Sequence, residues 1–535
     1  MQRKLLEPFQ YLWRNGLWLG RQLFRRAPIK TKVILDGSEL IRGVIVLRGC
    51  IVTNLPISKC HVIVRKFRDE TLKYENNVDI DHGASNSLLL KFGHWIGVYK
   101  YTFAVTLSVP WGLLPSSIYN LRFQVDGKRL VPQLSRGAQQ ILIDETANRT
   151  YYLFKEPSMR VPRIEVYHFG QKVLDQLGKI ASTPYPKSLT CVIGEYTNTA
   201  RDNGMVLFEE IKTRHSDIQA SYIIEAKNVE GYAVDQEGVH IFGSPEHLAS
   251  CLMAKVCAFT HHRTYVYPAI LQEIAPKRYA AARTLFLQHG IIGLKREILT
   301  HLHHDRVQYD AFCVSSEWER AIVAEHFQYA QSKVHVTGLA RFDYLLNAAK
   351  EKRADPTRIL IFPTWQKSLQ HLLPQEIAES EFAKKWRTVM ESLQTLGLHT
   401  VLILHPIFRD QESVFQGYTN ETGSVSEFQK YLTSSSAIVT DYSSVCFDAL
   451  LLQKPVFIFN PDIGEQQDQG FISEHSEQPG EICDSLDVLK KKISEARDQE
   501  WAFTHSAARN LFFERTDAKN VERNILLLRK LAEGI

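Results

Sequence analysis

The segment SSSAIVTDYSSVCFDALLLQKPVFIF, residues 434–459, contains the alternation that decides the fold. A short apolar run over residues 437–440 ends at a polar group, and a helical pattern then extends to about Gln453. A second apolar run, which begins this segment's last strand candidate PVFIFNP (455–461), follows the helical pattern. A strand, a helix and another apolar strand in this order are typical of a parallel sheet whose faces are covered by helices. The segment therefore predicts an α/β fold.

The same alternation extends through most of the chain. A charged break near residues 350–355 divides the apolar strands into two sets, so we expect two Rossmann-like domains, residues 164–350 and 356–535. Ligands of such sheets bind beyond the carboxyl ends of the strands. The predicted strands include LTCVIG (189–194), VCAFT (256–260), TLFLQ (284–288), RILIFPTW (358–365) and HTVLILHP (399–406).

Two other patterns precede this α/β body. Residues 31–156 contain short runs rich in β-branched and aromatic residues, which predict an all-β, sandwich-like accessory domain. In residues 1–30, most large apolar residues fall on one half of a helical wheel and most arginines on the other. This basic amphipathic helical segment favours contact with an anionic membrane surface, and packing against the protein itself is the alternative.

The composition excludes several classes of protein. A formal charge of +5 on 535 residues is mild, whereas a nucleic-acid binder has a concentrated basic stripe. No apolar run approaches the roughly 18 residues of a membrane span, and no signal peptide is recognisable. The eight scattered cysteines indicate reduced, buried thiols in a cytosolic protein. The oligomeric state is left open.

Two histidines follow predicted strands at their carboxyl ends. His289 follows the run at residues 284–288, and Gly290 after it permits a sharp turn or a close approach to a ligand. His405 follows Leu404 in the second set of strands. Neutral imidazole near pH 7 can take a proton from an attacking hydroxyl group. A hydrogen-bonded structural histidine is the alternative for each, and the residues alone leave the two interpretations about equally open.

Other polar residues occupy similar positions. Ser443 or Ser444 lies where a helix N-cap is expected, and hydroxyl and N–H groups there bind phosphate, with plain capping as the alternative. Asp448 lies one turn further on the same helix face and could accept hydrogen bonds from ribose. Arg341 could clamp a phosphate with two hydrogen bonds.

Three further signals are weaker. Thr364 and Trp365 end another strand and offer a hydroxyl group and a stacking surface. The HLHHD stretch, residues 301–305, lacks a clear helix-spaced ligand pair with a distant third ligand, so we expect no metal there. Ser316 and Glu319 have the spacing of a helix capping box, which is a structural feature.

Together these motifs resemble the CDP-glycerol glycerophosphotransferase family, whose members build teichoic-acid-type poly(alditol phosphate) chains. The matching pieces lie in the same order over roughly residues 185–480, and Gly194-Glu195 with Asp202-Asn203 resembles the start of the family's catalytic region. The family's usual tryptophan before His-Gly is Gln288 here, and the N-terminal β segment is not part of the match. The pieces are QHGIIGLK, GLARFD, PTW, LHP and DYSSVCFDALLLQKPV.

The resemblance implies a GT-B type fold, with two facing Rossmann-like domains and the CDP-alditol diphosphate between them. His289 would be the general base that activates the acceptor hydroxyl group, and His405 would steady the diphosphate or the departing CMP. The resemblance implies neither a metal nor a cofactor, because the CDP-alditol is a co-substrate. The donor site would be lined by Gly290, Ile291, Ile292, Gly293, Arg341, Thr364, Trp365, Leu404, Ser443, Ser444 and Asp448.

The implied reaction transfers an alditol phosphate, with glycerol phosphate as the first candidate, from a CDP-alditol to a hydroxyl group of a lipid-linked or polysaccharide acceptor. CMP is released, and the product is a cell-surface polymer such as teichoic acid or capsule polysaccharide. Attachment to the inner face of the cell membrane from the cytoplasm fits the basic N-terminal segment. The alternatives are a nucleotide-sugar glycosyltransferase on the same scaffold and a non-catalytic glycan- or nucleotide-binding protein.

Overall fold

The computed structural model describes most of residues 31–534. The described residues separate into two compact units. The first unit runs to Thr183 and adds Phe242–Leu252 and Pro268–Tyr279; the second contains Pro184–Ile241, Met253–Tyr267 and the chain from Ala280 onwards. The predicted amphipathic helix at residues 1–30 lies outside the described residues. Also outside are residues 43, 54–56, 67–72, 92–93, 112–115, 136–138, 156–160, 198, 226–227, 230–231, 234–236, 293–307, 352, 365, 367–368, 370–372, 425–426, 442, 461–477 and 535.

The described residues form strands throughout and helices from residue 171 onwards. The strands are β1 (Lys32–Ile41), β2 (Val44–Thr53), β3 (Cys60–Lys66), β4 (Lys73–Asn77), β5 (Asp79–Lys91), β6 (His94–Thr106), β7 (Ser117–Val125), β8 (Lys128–Leu130), β9 (Gln133–Leu134), β10 (Gln140–Asp144), β11 (Arg149–Phe154), β12 (Arg163–Tyr167), β13 (Leu189–Gly194), β14 (Ile218–Ile224), β15 (Asn228–Val229), β16 (Tyr232–Ala233), β17 (Val239–Ile241), β18 (Val256–Phe259), β19 (Arg283–Phe286), β20 (Ala311–Val314), β21 (Val334–Val336), β22 (Asp355–Phe362), β23 (His399–Ile403), β24 (Glu421–Gly423), β25 (Ser435–Thr440), β26 (Val456–Phe459) and β27 (Glu481–Cys483). The α-helices are α1 (Gln171–Ala181), α2 (Asn203–Arg214), α3 (Pro245–Met253), α4 (Leu271–Ile274), α5 (Pro276–Ala281), α6 (Glu317–His326), α7 (Arg341–Glu351), α8 (Pro374–Ala378), α9 (Glu381–Thr395), α10 (Phe428–Ser434), α11 (Val445–Leu451), α12 (Leu486–Asp498), α13 (Ser506–Phe512) and α14 (Asn520–Glu533).

The first unit contains two sheets whose strands are mostly antiparallel. One sheet has the order β5-β6-β2-β1-β9, and the other has the order β10-β11-β12-β7-β3-β4. Val33 and Leu35 of the first sheet and Val62 and Val64 of the second are fully buried in one hydrophobic cluster. Residues two positions apart point to the same face of a strand, so this spacing brings one apolar face of each sheet into a shared core.

The boundary of the first unit differs from the predicted domain boundary at residue 164. Strand β12 pairs antiparallel with β11, with Ile164 opposite Leu153, and with β7, with Ile164 opposite Tyr119. Residues 163–167 therefore complete an antiparallel sheet. The predicted start of the first Rossmann-like domain placed them in the α/β body instead.

The second unit contains two parallel sheets. The first has the order β17-β14-β13-β18-β19-β20-β21, in which the chain order reverses direction between β13 and β18. The second has the order β24-β23-β22-β25-β26-β27, with the reversal between β22 and β25. Both are Rossmann-type orders, and such reversals mark the crevice in which ligands of these sheets bind. We call the parts of the chain around these sheets the first lobe and the second lobe.

Each predicted strand of the α/β body is present, although runs such as RILIFPTW and HTVLILHP end as strands before their last predicted residues, at Phe362 and Ile403. The run LTCVIG is a strand over its full length, Leu189–Gly194. The C-terminal helix α14 differs from the prediction. Its residues Val521, Ile525 and Leu528 are buried in one cluster with Ile193 of the first lobe. The apolar face of α14 thus covers the first sheet, although the sequence placed residues 356–535 in the second domain.

Two predictions about the composition have outcomes in the structure. All eight cysteines are free and buried, which confirms the prediction of buried thiols. Within the part of the chain that the structure describes, no helix combines the length and the apolar character needed to cross a bilayer.

Candidate active site

His289 is exposed and lies in the loop after strand β19, three positions beyond the last strand residue, Phe286. The residue before it, Gln288, has φ of +58°, a left-handed conformation that is uncommon outside glycine. The side chain of Gln288 is buried, and its Nε2 donates a hydrogen bond to the Cys313 carbonyl oxygen over 2.6 Å. Such backbone strain persists only where the surroundings fix it. The sharp turn that presents His289 is therefore held by a buried hydrogen bond.

Asn203 ties this loop to the start of helix α7. It is fully buried. Its Nδ2 donates to the Gln288 carbonyl oxygen over 2.8 Å, and its Oδ1 accepts from the Arg341 backbone N–H over 2.9 Å. One side-chain amide thus fixes both the turn before His289 and the position of Arg341.

Glu319 holds the far end of the His289 loop. Its Oε1 accepts from the Ile292 backbone N–H over 2.7 Å, and its Oε2 accepts from the Ser315 backbone N–H over 2.7 Å. Burial raises the pKa of the Glu319 carboxyl, and these hydrogen bonds act in the opposite direction. The predicted cap is present, because Ser316 Oγ accepts from the Glu319 N–H at the start of α6. Glu319, which the sequence predicted only as part of a capping box, therefore also anchors the loop that carries His289.

The serines of the second lobe lie close to this loop. A Cβ atom built on Gly290 would lie 3.7 Å from Ser444 Oγ. Ser444 is the N-cap residue of α11, but its side chain makes no capping hydrogen bond, so simple capping does not account for its hydroxyl group. Because α11 has only seven residues, its helix dipole is small. A phosphate at this turn would be bound by the serine hydroxyl groups. Strand-end residues of the two lobes therefore meet at Gly290 and Ser444.

Arg341 and Asp448, predicted separately as phosphate and ribose contacts, form an ion pair. Arg341 Nη1 lies 2.6 Å from Asp448 Oδ2, and Arg341 Nε lies 3.4 Å from Asp202 Oδ1. Burial and then the neighbouring Glu195 carboxylate raise the pKa of Asp202. Burial alone would lower the pKa of Arg341, but the two aspartates raise it. These residues, Asp202, Arg341 and Asp448, form a largely buried charge cluster between α2, α7 and α11.

Two polar atoms of the predicted site residues are buried without a hydrogen-bond partner among the described residues. They are Thr364 Oγ1 and Asp448 Oδ1. The Thr364 backbone N–H is used, because it donates to Asp441 Oδ1 over 2.8 Å. Since β22 and β25 are parallel neighbours with Phe362 opposite Thr440, this contact lies at the carboxyl edge where the strand order reverses. A buried polar atom without a partner is costly, so both atoms are suited to receive a ligand.

The other predicted site residues occupy varied positions. The side chains of Ile291, Ile292 and Leu404 are buried. His405 is half-buried and directly follows β23, on the same sheet edge as Thr364 because β22 and β23 are parallel. Convergence of His405 with His289 stays a prediction, as do the roles of all the site residues. Gly293, Trp365 and the HLHHD stretch lie outside the described residues.

One histidine at the site was not predicted from the sequence. His261 follows β18, and its ring stacks on that of His289 with the centroids 4.5 Å apart and an interplanar angle of 15°. The ring of Tyr196, which follows β13, has its centroid 3.4 Å from that of His261. Strands β13 and β18 flank the reversal of strand order, so these rings lie at the expected crevice. The apolar run VCAFT (256–260) is followed directly by His261, the same pattern that singled out His289 after TLFLQ.

The comparisons with known proteins were consistent with the resemblance seen in the motifs. Residues 185–528 match the family described as CDP-Glycerol:Poly(glycerophosphate) glycerophosphotransferase. The match covers more than half of the chain, which therefore belongs to this family.

Relatives and solved structures extend this result. The chain is similar to the minor teichoic acid biosynthesis protein GgaB of Bacillus subtilis, with 23% identity over 353 residues, covering 61% of this chain and 38% of that protein. It is also similar to the teichoic acid poly(ribitol-phosphate) polymerase of Bacillus spizizenii, with 26% identity over 252 residues, covering 43% of this chain and 39% of that protein. The chain thus spans just under two fifths of the length of these curated relatives. A structure of a variant of the wall teichoic acid polymerase TagF soaked with CDPG shares the fold, with 16% identity, a TM-score of 0.53 and coverage of 68% of this chain and 93% of that chain.

Proposed function

We propose that this chain transfers an alditol phosphate, with glycerol phosphate as the first candidate, from a CDP-alditol to a hydroxyl group of a glycan or poly(alditol phosphate) acceptor. Family membership supports the phosphotransfer. The relatives named for teichoic acid biosynthesis support a cell-surface polymer as the product, and the CDPG soaked into TagF supports a CDP-linked donor. The acceptor is membrane-associated at the inner face of the membrane, with residues 1–30 as the membrane contact.

One observation carries the proposal. The Gly290 Cβ position lies 3.7 Å from Ser444 Oγ, so the His-Gly motif of one lobe and the serine motif of the other face a common space. A donor placed between the lobes, as in a GT-B type transferase, is then within reach of both motifs. Gly290 supports this arrangement because a side chain there would narrow the gap.

The reaction needs a base beside the acceptor hydroxyl group. The oxygen of that group attacks the phosphorus that bears the alditol, and the bond from this phosphorus to the bridging oxygen breaks. The hydroxyl proton passes to His289, and the electron pair of the broken bond leaves with CMP. His405 steadies the diphosphate. Charge in such a transition state spreads over the phosphoryl oxygens, so positioning and electrostatic stabilisation supply most of the catalysis.

The second lobe supplies groups that suit the donor. Arg341, at the start of α7 beside this lobe, is a partly buried cation with further N–H donors besides those facing Asp448 and Asp202. Thr364 Oγ1 can donate to a phosphate, and Asp448 Oδ1 can accept from a ribose hydroxyl group. These groups provide positive charge and hydrogen bonds without a metal, and the CDP-alditol is consumed as a co-substrate, so the proposed reaction uses no resident cofactor.

The proposal is tested by identifying the nucleotide that is released. The protein is incubated in EDTA with a lipid-linked or polysaccharide acceptor and, separately, with CDP-glycerol, CDP-ribitol and a set of UDP-sugars. Mass spectrometry should detect CMP and an acceptor heavier by whole alditol phosphate units. Release of UDP would identify a glycosyltransferase instead, and binding of a CDP-alditol without CMP release would identify a non-catalytic binding protein.

The role of His289 is tested by replacing it with alanine. Loss of a general base lowers turnover by roughly 10²–10⁴-fold, so His289→Ala should release CMP at least about a hundred times more slowly at an unchanged melting temperature. His399→Ala is the matched control, because His399 begins β23 at the end opposite to His405 and is 42% exposed. The control should keep wild-type turnover, and His405→Ala should fall below it. Near-normal turnover of His289→Ala would remove this imidazole from the mechanism.

A further inference from the structure

Three rings lie in contact at the carboxyl edge of the first parallel sheet: Tyr196, His261 and His289, which we call the ring stack. We propose that His261 is a positioning residue that holds the imidazole of His289 in the orientation required for proton transfer. The inference rests on the proposed function, since it assigns a partner to the proposed base.

The His261 ring packs against a side chain that the loop leaves exposed. The backbone of His289 is fixed on both sides, by Gln288 and by the Glu319 contact to Ile292, but its side chain is exposed. An exposed imidazole can rotate about two side-chain bonds, and each rotation moves the ring nitrogens. The His261 ring lies nearly parallel to that of His289, at 15° and 4.5 Å. A flat ring packed on this face restricts both rotations.

His261 is itself held in place. Its Nδ1 lies 2.7 Å from the hydroxyl oxygen of Thr260, which is fully buried. Tyr196, half-buried after β13, packs against the His261 ring. Tyr265, also buried, packs against Tyr196 with the centroids 5.3 Å apart. The orientation of His261 is therefore set from the sheet, and His261 can pass that orientation on to His289.

The stacking geometry separates this role from that of a hydrogen-bonded orienting group. Imidazole nitrogens point outward in the plane of the ring, whereas His261 covers the face of His289. The contact therefore uses none of the in-plane positions at which an acceptor hydroxyl group would approach. If His261 acts only by packing its flat ring on His289, a phenylalanine at this position should support the same turnover. If His261 transferred protons, phenylalanine could not replace it.

The kinetic test compares His261→Ala with His261→Phe. A misplacement of about 1 Å at a reacting group can cost on the order of a hundredfold in rate, so His261→Ala should lower kcat roughly 10- to 100-fold. The KM for CDP-glycerol should change less than about twofold, because the donor groups lie on other elements. His261→Phe restores the flat ring and should recover kcat to within a few-fold of wild type, with His399→Ala again as the control.

Two outcomes of the kinetic test would overturn the proposal. One is a kcat of His261→Ala above half the wild-type value. The other is a loss in His261→Phe as large as that in His261→Ala, because the imidazole itself would then be needed. If His261→Ala lowers the melting temperature sharply, Thr260→Val serves instead. It keeps the shape of Thr260, removes the hydrogen bond to His261, and should lower kcat by a smaller factor with the same unchanged KM.

A second readout does not depend on turnover. In protein labelled at the histidine rings, the NMR cross-peak of His289, assigned from its loss in His289→Gln, carries the ring-current shift of the stacked partner. It should move in His261→Ala and return towards its original position in His261→Phe. An unmoved cross-peak in His261→Ala would show that the rings do not stack. If the wild-type protein releases no CMP from any CDP-alditol, the proposed function fails while this measurement still decides whether His261 orients His289.

Discussion

Replacing Gly338 with alanine should destabilise the second unit through one specific overlap. Gly338 follows β21 in the GLARFD motif and has φ of +72°. A Cβ atom on Gly338 would overlap the side-chain amide of Asn520, the first residue of α14. Asn520 is fully buried, and α14 packs on the first parallel sheet. The amide can therefore move aside only if the helix moves with it.

The expected cost is the sum of two penalties. The left-handed backbone costs a non-glycine residue about 1–2 kcal/mol, and forcing an extra methyl group into a packed interior costs about 1–3 kcal/mol. The total is roughly 2–5 kcal/mol. Gly397→Ala is a matched control, because Gly397 has φ of +74° and a Cβ atom there would meet no atom within 4 Å. It carries only the first penalty, so the difference between the variants isolates the overlap with Asn520.

Urea unfolding and thermal melts measure this difference. At roughly 2–4 °C per kcal/mol for a domain of 150–250 residues, Gly338→Ala should melt at least about 2 °C below Gly397→Ala. Asn520→Ala removes the overlapping atoms. In that background, the loss of unfolding free energy caused by Gly338→Ala should fall to the loss caused by Gly397→Ala. The double-mutant cycle should therefore show a favourable coupling between positions 338 and 520. Equal melting temperatures for the two glycine variants, or a cost of Gly338→Ala that Asn520→Ala leaves unchanged, would refute the reasoning.

Two further predictions concern pH. Burial and the Glu195 carboxylate raise the pKa of Asp202, so its contribution to stability is complete below about pH 4 and is lost as the pH rises through its folded pKa. Asp202→Asn keeps a side-chain oxygen for the α2 cap, and its melting temperature relative to wild type should increase between pH 5 and pH 8; a constant difference would contradict the raised pKa. Burial lowers the pKa of Lys454 from 10.5 to about 8, and its Nζ donates to the Thr433 carbonyl oxygen over 3.0 Å. The stability of wild type relative to Lys454→Met should therefore rise between pH 8 and pH 10.5 by up to about 3 kcal/mol. Urea unfolding at the two pH values measures this rise, and a difference that does not change with pH would show that the Lys454 amine is solvated.

The strands of the second unit could be predicted because their signal is local. A buried parallel strand is a short continuous apolar run, and the run ends where polar residues face the crevice. LTCVIG matches Leu189–Gly194 at both ends. The packing of α14 on the first lobe could not be predicted in the same way. Its helical pattern shows that one face is apolar, but nothing in the pattern says which sheet that face covers.

The site shows the same division between local and long-range information. Strand-end patterns singled out His289, Thr364 and Ser444 as candidates, and the pattern at His261 was equally visible. The support behind His289 was not visible in the sequence. Asn203 supplies part of it by hydrogen bonds to Gln288, which lies 85 positions further along the chain, and to Arg341, which lies 138 positions further along. A left-handed Gln288 also gives no sequence signal, since glutamine has no preference for that conformation. It is maintained by tertiary hydrogen bonds.

The charge cluster raises the question of how two aspartates can line a site proposed for an anionic donor. With both ionised, Asp202, Asp448 and Arg341 would carry a net charge of minus one beside a diphosphate. The raised pKa of Asp202 lets that residue take a proton, which makes the cluster neutral. The ion pair between Arg341 and Asp448 also prevents either charge from being buried without its partner, because an unpaired buried charge is strongly destabilising. The second oxygen of Asp448, buried without a partner among the described residues, would then remain available in the proposed reaction to accept from a hydroxyl group of the donor. In the proposed reaction the aspartates would orient the guanidinium and the ribose together, which a lone arginine at the same place would not do.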